Sequence, residues 1–141
     1  MTRKIKFRAW DKEAKKMISA DMADGYDGLF VYFSGGVGSI DFGCPDGGIG
    51  GSNVELMQFT GLLDQNGKEI YEGDVVQEVN ENGAFLYRVF WEKYDCAFYL
   101  APVFVKDKEL DKNGNMLTRM SSLYTEVEVV GNIYQNPELL K

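Results

Sequence analysis

Three carboxylates fall within six residues of this chain: Glu69, Glu72 and Asp74. Hard cations take oxygen ligands, so such a trio could hold Mg²⁺ through one or two of its members. Two carboxyls could also divide the acid and base steps of a hydrolysis. A carboxylate- or metal-dependent hydrolase is therefore one reading of the segment. The plainer reading is architectural: Asp74 receives backbone N–H groups at a corner, and the two glutamates lie in solvent. The rest of the composition favours the second. There is no histidine, which removes imidazole ligands, His-based triads and the usual near-neutral acid–base group. The only cysteines, Cys44 and Cys96, are too far apart for ordinary zinc spacing and read as two unrelated reduced thiols. No G-x-S-x-G, G-x-G-x-x-G or phosphate-cradling Gly-Lys-Ser/Thr occurs. The expectation is a protein that is not an enzyme and needs no cofactor.

A second candidate is electrostatic. Residues 1–16 hold seven Lys or Arg against two acids, a net of +5, while the remainder holds eight against twenty, a net of −12. Alternation over residues 4–10 places Lys4, Lys6, Arg8 and Trp10 on one face of a strand and Ile5, Phe7 and Ala9 on the other. Basic groups beside a stacking ring could grip nucleic acid or an acidic protein. The acidic body would repel a phosphate backbone, so contact with nucleic acid would have to begin there. The simpler reading is a solvated strand face, whose charges blunt a sheet edge.

Both candidates depend on β structure. Gln58 to Val76 reads as strand, turn, corner and strand. Asn66-Gly67 suggests a type I′ turn, in which both residues take positive φ, and Asp64 suits an Asx turn just before it. Gly73 lets the chain bend at a corner that Asp74 can bind, before Val75 and Val76 enter a strand. Asp11 to Lys16 reads as a turn, with Met17 to Ala20 returning as a partner strand. Further strands are expected at Leu29–Phe33, from Val54, over Phe85–Trp91 and Ala97–Leu100, and over Thr125–Val130. Asn80 to Gly83 is a second turn, Asp107 to Asn115 a loop, and Leu117 to Leu123 one or two helical turns. Gly131-Asn132 is expected to turn the chain, and Asn136 to cap a short turn starting at Pro137. Ten glycines between Gly25 and Gly51, with acids among them, read as a flexible surface insert.

Four segments carry a family resemblance: Ile5–Asp11, Leu56–Leu62, Asp64–Val76 and Glu128–Leu140. On these the chain resembles the YopX-like family of phage and prophage proteins, and the likeness runs from one terminus to the other. It implies an SH3-like barrel in the C-terminal part and a phage or prophage origin, and it brings no catalytic residue with it. The chain departs from the family pattern over residues 25–53, which are long and Gly-rich. The fold class expected is mainly β. Residues 1–53 form an N-terminal β extension with the Gly-rich insert, and residues 54–141 the barrel.

At 141 residues the chain is long enough to bury a core unaided. No apolar run reaches a membrane span and the N-terminus has no apolar signal core, so the chain is expected in the cytoplasm of a bacterial host. Aromatic residues make up 13%; those not in the core would form a binding patch. The partners expected are an unidentified protein, with a host factor as one candidate, and a second copy through unpaired strand edges. Nucleic acid stands as the alternative.

Overall fold

A computed structural model describes residues 4–19, 29–34, 37–42, 54–93, 95–105, 118–120 and 126–141. Cys44, residues 107–115 and most of the Gly-rich stretch lie outside these. The described chain is mainly β and divides into two compact units, Thr2–Gln58 and Phe59–Lys141. None of its helices is long and apolar enough to cross a membrane.

In the first unit, β1 (Phe7–Asp11) pairs antiparallel with β2 (Lys16–Ser19). On its other side β1 meets the first half of β5 (Val54–Leu63), from Phe7↔Gln58 to Asp11↔Val54. The turn between β1 and β2 is closed by Asp11, whose Oδ1 accepts the N–H groups of Glu13 and Ala14, both at 2.9 Å. β3 (Leu29–Ser34) and β4 (Val37–Phe42) form a two-stranded antiparallel hairpin. Part of the Gly-rich insert is thus regular structure rather than loop. Lys12 and Glu55 form an ion pair at 2.5 Å, with both side chains nearly half exposed. Solvent-screened pairs contribute little, so Glu55→Gln is expected to change unfolding free energy by less than about 0.5 kcal/mol in urea titrations.

In the second unit, the later half of β5 pairs with β6 (Glu69–Tyr71). Between Phe59↔Tyr71 and Leu63↔Glu69, β5 carries two extra residues, absorbed where Gly61 takes φ +88°. Thr60 holds the irregularity, donating its hydroxyl to the Ile70 carbonyl at 2.8 Å. β7 (Asp74–Asn80), β8 (Gly83–Glu92) and β9 (Ala97–Pro102) form a meander. Short β10 (Thr118–Arg119) is added beside β9, and β11 (Val127–Asn132) returns to pair with β7. The sheet order is β10-β9-β8-β7-β11. Its core is Ile70, Val76, Val89, Leu100, Met120, Val127 and Val129, with Leu62, Tyr87 and Phe98 packed against it.

Four expectations need correcting. The 64–68 hairpin is not a type I′ turn, because Asn66 does not have positive φ. Gly67 N–H bonds Asp64 O, Asp64 N–H bonds Lys68 O, and Gly67 alone takes φ +81°. This three-residue loop keeps Asn66 N–H within reach of the Asp64 carboxylate. Thr118–Arg119 is strand, because β9 offers it an edge at Tyr99 and Leu100; Met120 after it has 3₁₀ backbone, and Leu117 and Leu123 lie outside the described residues. Gly131 and Asn132 belong to β11, after a bulge between Val129 and Gly131. Asn136 precedes the 3₁₀ turn Pro137–Leu140 but makes no side-chain cap; its Oδ1 accepts Asn132 N–H at 3.3 Å instead.

Cys96, exposed in the β8–β9 connection, takes φ +49°. Asn tolerates that conformation better than Cys does. Cys96→Asn is expected to add about 0.5–1 kcal/mol of stability, read as a rise in melting temperature of about 2–4 °C.

Candidate functional site

The basic candidate lies on β1 and just before it. Ala9 and Asp11 are buried, while Arg8 and Trp10 on the opposite face are half-buried. Residues 4–6 precede the strand, because pairing with β5 ends at Phe7↔Gln58. Lys4 is exposed, Lys6 is half-buried, and Ile5 is 67% exposed rather than on the inward face. Only Arg8 and Trp10 of the four therefore sit in a sheet. They stand beside Ser19 and Met17 on β2, and beside Met57 and Glu55 on β5.

The carboxylate candidate is a built corner. Gly73, at φ +82°, donates its N–H to Val89 O at 2.9 Å and accepts Ile133 N–H at 2.9 Å. That double engagement puts Asp74 at the start of β7 with 1% of its surface exposed, and its Oδ2 accepts Tyr71 N–H at 2.8 Å. Glu69 accepts the Tyr71 hydroxyl at 2.8 Å, and Glu72 is half-buried. Among the described residues, no group of three His, Cys, Asp or Glu is arranged to hold a metal ion. The corner orders three chain segments, and Asp74 binds backbone there.

Two further polar hubs were not singled out as sites from sequence. Asp64, 6% exposed, accepts Asn66 N–H (2.8 Å) and Lys68 N–H (2.9 Å) at Oδ1 and Val129 N–H (2.9 Å) at Oδ2. Burial by itself would raise its pKa. The three N–H groups and the Lys68 charge outweigh burial, and the carboxyl lies below its ordinary value. Asn132, buried opposite Asp74, uses Oδ1 for the N–H groups of Tyr134 and Gln135, and donates Nδ2–H to Gln135 Oε1 at 2.6 Å. The chain folds tightly back here: a Cβ on Gly131 would lie 2.5 Å from Asn136 Oδ1 and 2.8 Å from Leu139 Cδ1.

Apolar surface is the remaining candidate. Trp91 and Phe98 stand directly opposite each other on β8 and β9, their rings edge-to-face at 5.0 Å. Phe98 packs against the core, yet Trp91 stays 42% exposed. Phe85 is 41% exposed at the far end of β8, and Phe104 is 70% exposed beyond β9. Between them Tyr87 donates its hydroxyl to Glu78 at 3.2 Å; burial first, then that hydrogen bond and the Glu78 charge, push the Tyr87 pKa up. Alternation along β8 puts Phe85, Tyr87, Val89 and Trp91 on one face. It gives no signal for which of them run past the edge of the core.

The YopX protein family matches this chain over residues 6–141. Among solved structures, protein EF1440 from Enterococcus faecalis is 25% identical, with a TM-score of 0.58 over 99% of this chain and 100% of that one. Protein yopX from Bacillus subtilis is 21% identical, with a TM-score of 0.63 and the same coverage, a likeness of fold. No curated protein matches the chain.

Proposed function

The chain belongs to the YopX protein family, and from that premise we propose that it is a non-enzymatic interaction module of a phage or prophage, acting in the cytoplasm of its bacterial host. The observation that carries the reading is the Trp91–Phe98 pair. A large indole is fixed by an edge-to-face contact and a paired register, yet is left nearly half in water. Rigid, amphipathic, partly exposed rings of this kind are what protein interfaces use as anchors. The barrel reading belongs to the same proposal. A β7–β8–β9 meander, a bulged β11 returning to β7, and a Gly-Asp corner opening β7 support an SH3-like barrel, a fold that works by presenting surface.

The test is affinity capture from the bacterial host with the tagged protein, run with and without nuclease, alongside Trp91→Ser. A protein retained after nuclease and lost from a folded Trp91→Ser variant is the expected result. Turnover of any substrate that disappears with one carboxylate would overturn the reading. Nucleic acid bound at low salt, and lost when Lys4, Lys6 and Arg8 are neutralised, would replace it with nucleic-acid binding at the first strand.

A further inference from the structure

Among the described residues β11 has β7 on one side only and stands last in the five-stranded sheet. A terminal strand of this kind offers its outward N–H and C=O groups to any extended chain that arrives. Here two of those groups are already engaged, and by a turn rather than a strand. Gln65 N–H donates to Val127 O at 3.0 Å, and Val129 N–H donates to Asp64 Oδ2 at 2.9 Å. The same carboxylate holds the turn in shape through its other oxygen, which takes the N–H groups of Asn66 and Lys68. One buried side chain thus fixes the turn and fastens it to the edge.

We propose that the Asp64–Lys68 turn is a seal on the outer edge of β11, and that opening it turns this edge into a strand-addition surface for a second copy of the chain. The edge is suited to its own copy. Val127 and Val129 direct their backbone groups outward, so two opened edges meet antiparallel about Val129. That register sets Glu128 of one copy opposite Val130 of the other, so the exposed carboxylates do not face each other. Val130, 38% exposed, gains a neighbour, while Val127 and Val129 keep their places in the core.

Two substitutions in the full chain test this. Gln65→Pro suits the second position of the turn, where proline's fixed φ is favoured, and removes only the N–H that reaches Val127. Asp64→Asn keeps the shape but has one acceptor oxygen where the carboxylate has two, so it cannot serve both the turn and Val129. Folding is checked by near-ultraviolet circular dichroism, opening by hydrogen exchange at the Val129 amide, and association by sedimentation velocity over a hundredfold range of concentration. In a folded variant, Val129 exchange is expected to rise at least tenfold, and the mass to climb with concentration above that of the parent. A folded variant with fast Val129 exchange that sediments as the parent does at every concentration overturns the proposal. So does a folded Asp64→Asn with parental exchange. If Asp64→Asn does not fold, Gln65→Pro decides alone.

Discussion

Replacing Asp64 by alanine is expected to remove about 3 kcal/mol of unfolding free energy at neutral pH and to flatten part of the protein's response to acid. Three backbone donors lose a charged acceptor together: Val129, Lys68 and Asn66. The losses are unequal. Asn66 and Lys68 lie in an exposed turn and recover water as a partner, whereas Val129 is 8% exposed and its N–H is left in a dry setting. The acid response follows from linkage. The folded-state pKa of Asp64 lies below the ordinary carboxyl value of 3.8, so between the two values the unfolded chain binds more protons and stability rises with pH. The contribution is present in full above the unfolded value and disappears as pH falls through the folded one. Urea unfolding of parent and Asp64→Ala at pH 7, and again in steps below 3.8, checks both claims: the gap between the two is wide at pH 7 and closes on acidification. A constant gap would mean that Asp64 stabilises as a shape and not as a charge.

Asp64 also marks where sequence reading reaches and where it stops. Its role as a turn residue follows from type and position, because an Asx side chain ahead of Asn-Gly has local N–H groups within reach. Its grip on Val129 joins residues 65 positions apart and has no local signature. The Gly73-Asp74 corner was legible for the same local reason, and so was a strand ending the chain's β structure, which the structure places at Val127–Asn132. Thr118 and Arg119 show the opposite case, the chain turning to 3₁₀ backbone only at Met120. Leu117, Met120 and Leu123 have helical spacing, but the backbone of β9 offered an unpaired edge, and tertiary pairing overrode local preference. At Asn136 the local pattern misleads, because a cap is read from the three residues after it, while this side chain turns back to Asn132. For the exposed aromatics, alternation gives the face but not the distance from the core's edge. Trp91 and Val89 share a face, yet one is 42% exposed and the other 2%.

The core itself supplies the other large effect. Leu100→Ala is expected to cost about 3–4 kcal/mol, in the upper part of the range for such truncations. The cost of a cavity depends on whether the walls can collapse, and here they are tied. Leu100 is fully buried on β9, with Val89 opposite it on β8 and Thr118 opposite it on β10. Backbone pairing on both sides holds those neighbours at sheet spacing, so they cannot close in on the vacated volume. Met120, long and unbranched, is the member of the surrounding cluster best able to lean toward the gap. Leu100→Met, which roughly conserves volume, should by contrast cost less than about 1.5 kcal/mol. Calorimetry separates the two, with a fall in melting temperature of roughly 10 °C expected for alanine and a few degrees for methionine. If both fall alike, the site is sensitive to side-chain shape rather than to lost volume. If neither falls, the β8–β9–β10 wall is softer than its pairing implies, and the stability of this unit rests on the polar fastenings at Asp64, Asp74 and Asn132 instead.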